Sequence, residues 1–246
     1  RIMIELIEND RVVGGLTTTA TDLTAAFYKT FVKGEVLKTD SRTAEMCKLV
    51  ENSSRDVGIA FANELSILCD GLGIDVNELI RFANRHPRVN ILQPGCGVGG
   101  HCIAVDPWFI VSKDPKNSNL IRTAREVNEY KNQWVIEKIK NLALQFQIDN
   151  GRPARIACMG LAFKPDIGDL RQSPALAVAE SLNQAQFDVI SVEPNIESYK
   201  DLKLSTVAKG VKDSDILVFL VKHSEFVSLN TQGKQVLDFC GVTIPA

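Results

Sequence analysis

Between Arg155 and Phe239, short apolar runs alternate with helix-like segments, and this alternation restricts the fold more than any other feature of the chain. The runs are Arg155–Gly160, Phe187–Val192, Asp215–Leu220 and Gln235–Phe239, with a helix expected over Ser173–Leu182. Their apolarity is continuous, as in strands buried on both faces. The pattern predicts an α/β domain with a parallel, doubly wound sheet. The turn residues Asn150-Gly151-Arg152-Pro153 mark its expected start.

Upstream, the periodicity is helical. A long helix is expected from Ser41 to Leu72, with Ser41 as N-cap and Gly71 or Gly73 as its stop. Met46, Leu49, Val50, Val57, Ala60, Phe61, Leu65 and Leu68 form its expected buried stripe. Lys48, Asn52 and Arg55 fall on a different face, where a lysine read by itself is a solvated surface residue. A shorter helix is expected over Asp75–Arg85, capped by Asp75, and another long one over Ser118–Phe146. Before these come a strand at Arg11–Gly15, a helix at Thr18–Val32 and a strand at Gly34–Leu37. Leu23, Ala26, Phe27 and Phe31 share one side of that helix, and the set reads as the tail of an α/β unit.

Between the helices lies Gln93-Pro94-Gly95-Cys96-Gly97-Val98-Gly99-Gly100-His101-Cys102-Ile103-Ala104-Val105-Asp106-Pro107. Such a glycine-rich backbone can approach a ligand closely. It ends on a thiol flanked by His101 and, four residues on, by the carboxylate of Asp106. Cys102 reads either as a nucleophile or as a small buried hydrophobe. A metal site from Cys96, His101 and Cys102 is disfavoured, because no CxxC pair exists and adjacent ligands suit a tetrahedral ion poorly. A Cys96–Cys102 disulfide has no other support in the sequence.

Composition narrows the class. The 246 residues carry a formal net charge of −2, which gives no electrostatic case for nucleic acid or an anionic membrane. The six cysteines lack framework spacing and fit reduced thiols in a cytoplasmic protein. No apolar run reaches membrane-spanning length, and no signal peptide is visible. The chain opens on Arg1 rather than methionine and reads as a fragment.

Gly160-Leu161-Ala162-Phe163-Lys164-Pro165-Asp166 occupies the place where doubly wound folds bind ligands, yet lacks G-x-G-x-x-G. Lys164 and Arg171 could bring positive charge to a diphosphate; equally, Arg171 could pair with Asp166 or Asp169.

Four ordered blocks carry a resemblance: Thr43–Asn52, Gly95–Pro107, Gly160–Asp166 and Asp169-Leu170-Arg171-Gln172-Ser173-Pro174. Through them the chain resembles the UDP-glucose/GDP-mannose dehydrogenases, the nucleotide-sugar 6-dehydrogenases. The resemblance implies a remnant of an NAD-binding Rossmann domain at residues 1–39 and a central helical region at 40–150, through which the chain forms a homodimer. A Rossmann-like UDP-sugar-binding domain follows at 151–246. It also implies that most of the NAD domain, with its own glycine motif, is missing.

The implied reaction oxidises C6 of a UDP-sugar twice with NAD⁺, for bacterial surface polysaccharide precursors. Cys102 would form a thiohemiacetal and then a thioester. Lys48 and Asn52 match the pair that stabilises the oxygen on C6, and Asp106 the carboxylate that moves protons and positions water. Arg55, His86, Arg88, Gly99, His101, Phe163 and Lys164 match substrate-binding positions, and Arg171 an NAD contact. His101 before the nucleophile points to an N-acetylhexosamine, with UDP-N-acetyl-D-mannosamine the implied substrate. UDP-N-acetylglucosamine, its galactosamine counterpart and UDP-glucose stay open. No metal is implied. Cys96 stands where relatives usually have proline, and Gln172 where they have glutamate. The other reading is a non-catalytic UDP-sugar-binding and dimerisation module.

Overall fold

A computed structural model describes residues 2–200 and 202–243; Arg1 and the end of the chain, 244–246, lie outside the described residues. Residues up to Ser54 form one compact unit and those from Arg55 onward a second.

The first unit holds α1 (Ile2–Glu8), β1 (Arg11–Gly15), α2 (Thr18–Tyr28) and β2 (Val36–Asp40). Strands β1 and β2 pair in parallel, with Arg11 opposite Val36. Helix α1 escaped the sequence reading, α2 stops four residues before the expected Val32, and β2 starts later than Gly34. Leu23, Ala26 and Phe27 are exposed; the buried positions of α2 are Thr21 and Ala25.

Helix α3 (Ser41–Leu72) begins in this unit. Its cap is Asp40, not Ser41: one carboxylate oxygen accepts the N–H groups of Arg42 and Thr43 at 2.9 and 3.1 Å. Gly73, at φ +68°, follows its last turn.

In the second unit, α4 (Val76–Ala83) is capped by Asp75, α5 (Asp106–Lys113) is short, and α6 (Asn119–Asn150) runs on to left-handed Gly151. There follow β3 (Arg155–Met159), α7 (Pro174–Gln184), β4 (Asp188–Val192), β5 (Leu204–Ser205), α8 (Val207–Asp213), β6 (Ile216–Phe219) and β7 (Gln235–Asp238). The sequence pattern passed over β5 and α8, the first too short to show a period and the second containing Gly210.

All pairings in this sheet are parallel, in the order β5-β4-β3-β6-β7. This is the doubly wound arrangement, with its topological switch between β3 and β6. Alternation along β3 sends Ile156 and Cys158 to one face and Ala157 and Met159 to the other. Val135, Ile139, Ala143 and Phe146 of α6 join the first of these clusters. Both faces are therefore dry, which is why the strands read as continuous apolar runs.

The long helices depart from expectation. Phe61 and Leu68 of α3 are each 53% exposed, and Met46 and Val50 are exposed as well. The inward positions from Asp56 onward are small or polar: Asp56, Ala60, Ala62, Asn63, Ser66 and Cys69. Asp56 Oδ1 pairs with Arg125 of α6 at 2.7 Å and accepts from Asn128 at 2.8 Å. Asn63 donates to Asn128 at 2.9 Å, and Lys131 to Ser66 at 2.8 Å. Polar pairing with α6 leaves part of the expected stripe outward: Ala60 is buried and Leu49, Val57 and Leu65 are half-buried, while Met46, Val50, Phe61 and Leu68 face out. Leu120, at the start of α6, is likewise exposed.

Candidate functional site

The glycine-rich loop is fixed by side-chain amides at its start. Asn63 Oδ1 accepts the Gly95 N–H at 2.9 Å, and Asn132 donates to the Cys96 and Pro174 carbonyls at 3.1 and 2.9 Å. Neither asparagine stood out in the sequence. Gly99 is needed because a Cβ there would meet the Gln172 carbonyl and come within 2.6 Å of Pro174. Gly100 has φ +86°, and a Cβ there would lie 3.2 Å from the Phe163 ring. Gly99 is thus seated on the 172–174 turn, and the ring of Phe163 lies against the end of the loop.

The two loop cysteines have opposite surroundings. Cys96 is buried, its Sγ 3.6 Å from the Leu220 carbonyl, and burial pushes its thiol up to about 12. Cys102 is exposed and all six cysteines are free, so the disulfide is absent and the Cys96-His101-Cys102 set does not gather. The Cys102 carbonyl accepts the N–H groups of Val105 and Asp106 at 3.0 and 2.8 Å, closing the turn that leads into α5. Asp106, the first residue of α5, is half-buried, and His101 is exposed.

Beside the start of the loop lies a cavity of about 480 Å³, lined by Arg55, Gln93, Cys96, Phe163, Lys164 and Lys222 among others. It brings together three of the expected substrate residues, Arg55, Phe163 and Lys164. Lys164 is exposed, its ammonium 5.8 Å from the Phe163 ring centroid. His86 and Arg88 are exposed on the segment after α4, outside this lining, with the Arg88 N–H on His86 Nδ1 at 3.3 Å. Arg171 is exposed and grips Asp169, at 2.6 Å in its shorter contact. That arginine holds the Asp169 carboxyl down at about 2, with His101 a lesser contributor. In the first unit, Lys48 reaches Asn52 Oδ1 at 3.3 Å and Glu51 at 3.5 Å.

Behind the 160–166 loop sits a pair that the sequence reading passed over. Glu193, at the end of β4, and His223, after β6, are both fully buried and 3.1 Å apart. Glu193 Oε2 also accepts the N–H groups of Leu161 and Ala162 at 2.8 and 2.9 Å. Burial raises the Glu193 carboxyl, but His223 and the backbone donors outweigh it and leave it below the ordinary range. The His223 Nδ1 accepts the Asp166 N–H at 3.0 Å. Asp166, His223 and Glu225 cluster closely enough for a metal, yet that hydrogen bond engages the imidazole lone pair a metal would need.

Two family models match the chain: the central domain of the UDP-glucose/GDP-mannose dehydrogenase family over residues 42–130, and its UDP-binding domain over 157–243. The chain belongs to that family. Among UDP-glucose/GDP-mannose dehydrogenase relatives, it is 50% identical to the UDP-N-acetyl-D-mannosamine dehydrogenase of Campylobacter jejuni, covering 98% of this chain and 59% of that protein. It is 54% identical to the enzyme of that name from Escherichia coli K12, covering 94% of this chain and 57% of that protein. The solved UDP-N-acetyl-mannosamine dehydrogenase of S. aureus superposes with a TM-score of 0.86 at 40% identity, covering all of this chain and 59% of the other. The chain therefore spans less than two thirds of the length of these relatives.

Within this family frame, the 480 Å³ cavity joins the central domain, through Arg55 and the glycine loop, to the UDP-binding domain, through Phe163 and Lys164. Residues Gly95 to Gly100 spell a literal G-x-G-x-x-G, but no strand precedes them, so they lack the setting of a dinucleotide loop. No helix among the described residues is long and apolar enough to cross a membrane.

Proposed function

We propose that this chain carries the thiol and the nucleotide-sugar site of a UDP-N-acetyl-D-mannosamine 6-dehydrogenase. The observation that supports it most is the loop itself. It lines the cavity bearing Arg55 and Lys164 at one end and presents the exposed thiol of Cys102 at the other. Arg55, Lys164 and Lys222 give the cavity a positive rim suited to a diphosphate, and Phe163 offers a flat apolar surface.

In this reading the Cys102 sulfur adds to the C6 aldehyde of the sugar. The S–C bond forms, and the carbonyl electron pair moves to oxygen, which takes a proton. Lys48 and Asn52 are assigned to that oxygen on the sequence resemblance. The last step is hydrolysis of a thioester: water adds to C6, the C–S bond breaks, the thiolate leaves, and Asp106 takes the water's proton.

NAD⁺ is the oxidant that the resemblance implies: when bound it would take up the hydride in each of the two two-electron oxidations, alcohol to aldehyde and thiohemiacetal to thioester. Neither the 160–166 loop nor the Gly95–Gly100 run offers it a dinucleotide cradle, because Glu193 holds the Leu161 and Ala162 N–H groups and the glycine run follows no strand. That mismatch favours a second reading for the chain as it stands, a UDP-sugar-binding module. A homodimer is proposed through the exposed apolar residues of α3 and α4, among them Phe61, Leu68, Leu72 and Phe82.

Alkylation of Cys102 in the whole chain, with and without UDP-N-acetylmannosamine, tests the assignment. Rapid labelling at Cys102 that the ligand slows by about tenfold or more is expected. An inert thiol with ligand bound selects the module reading, and absence of ligand binding overturns both.

A further inference from the structure

The Gly160–Asp166 loop presents Phe163 and Lys164 to the cavity; besides backbone bonds from Gly160 to Val192 and from Phe163 to Asp169, a buried side-chain cluster ties it at both ends. Glu193 Oε2 takes the N–H groups of Leu161 and Ala162, directly before Phe163. Its Oε1 takes the Asn195 N–H at 3.0 Å, so both carboxylate oxygens are engaged. His223 ties the other end of the loop through the Asp166 N–H, and Asp166 Oδ1 returns a contact to the Ser224 N–H at 2.8 Å. Gly160, at φ +86°, lets the chain pass beneath Val221 and His223, where a Cβ would come within 2.7 Å of Val221.

In a dinucleotide-binding sheet, an acidic residue at the end of the second strand faces a ribose, and the first loop's N–H groups face phosphate. Glu193 stands at that strand end but turns inward, and its carboxylate occupies the N–H groups a phosphate would take. The crevice is filled by the protein's own anion, and the loop's side chains are displayed at its outer surface.

We propose that Glu193 and His223 are positioning residues for Lys164, holding the 160–166 loop from both ends so that the ammonium stands at the nucleotide cavity. The proposal rests on the reading of that cavity as the nucleotide-sugar site. It differs from a purely structural role because it requires Glu193 and Lys164 to act on ligand affinity through one another.

Calorimetric titration of the whole chain with UDP is the test, with thermal melting to confirm folding. Lys164→Ala is expected to weaken UDP by roughly tenfold. Glu193→Ala should weaken it by a similar factor, and Glu193→Gln should recover part of the loss, since its amide oxygen still accepts the Leu161 and Ala162 N–H groups while its NH2 meets the Asn195 N–H. In the Lys164→Ala background, Glu193→Ala should cost about twofold or less. Should Glu193→Ala not fold, His223→Gln takes its place; it keeps the donor to Glu193, frees Asp166, and should weaken UDP only when Lys164 is present.

Equal losses with and without Lys164, or wild-type affinity in a folded Glu193→Ala chain, overturn the positioning role. Unchanged UDP binding by Lys164→Ala overturns instead the cavity assignment on which it rests.

Discussion

The side-chain oxygen of Asn63, fully buried on α3, takes the backbone N–H of Gly95 at 2.9 Å. Its amide donates to Asn128 on α6 at 2.9 Å, so one side chain fixes both the helix pair and the start of the glycine loop. Asn63→Ala would leave the Gly95 N–H and Asn128 Oδ1 without these partners. A loss of about 2–4 kcal/mol in urea unfolding is expected. A loss under about 0.5 kcal/mol would mean that the loop is anchored elsewhere.

Gly99→Ala tests the seat of the loop. The added methyl would meet the Gln172 carbonyl and Pro174, neither of which is the free end of a flexible side chain. The loop must lift or the turn must shift, at an expected cost of about 2–4 kcal/mol. Retained stability with unaltered Cys102 labelling would show that the contact yields easily.

Lys131 is buried to 2% exposure, with its ammonium 4.0 Å from the Trp134 ring centroid and hydrogen-bonded to Ser66. Burial lowers its pKa to about 8; Cys96 and Asp70 act the other way, and Lys138 adds to the lowering. An unfolded lysine titrates near ~10.4. Below pH 8 both states are protonated and the burial cost is felt in full. Between pH 8 and ~10.4 only the unfolded state holds the proton, so the cost fades as pH rises. The stability of Lys131→Met relative to wild type should therefore fall by about 2–3 kcal/mol from pH 7 to pH 10. A flat difference in unfolding titrations would refute a depressed lysine.

The outward apolar stripe of α3 predicts association. Sedimentation of the wild-type chain should show a dimer, and Phe61→Glu with Leu68→Glu a folded monomer. A dimer untouched by both changes would place the contact on another surface, and a monomeric wild type would overturn the association.

The sheet was readable because burial on both faces writes an apolar run for each main strand, and Ile156, Leu217 and their neighbours lie where those runs placed them. The α3 helix was readable in extent for the same periodic reason. Its orientation was not: apolar residues are only part of the inward face, because Asp56, Asn63 and Ser66 are engaged by Arg125, Asn128 and Lys131 from a distant part of the sequence. The loop's glycines announced a close approach, and Phe163 and Gln172 are what they approach. Glu193 and His223 stayed hidden because neither belongs to a local motif; only the order of the strands brings them together.

Phe163 and Lys164 are consecutive on one backbone and both line the cavity, and the ring of the first also lies against Gly100. Close-packed matter transmits displacement, and there is little slack between ring and loop to absorb it. A shift of the backbone at Phe163 would thus press on the loop two residues from Cys102. Mechanically, the aromatic ring is a strut between the loop that bears the thiol and the loop that bears the charge.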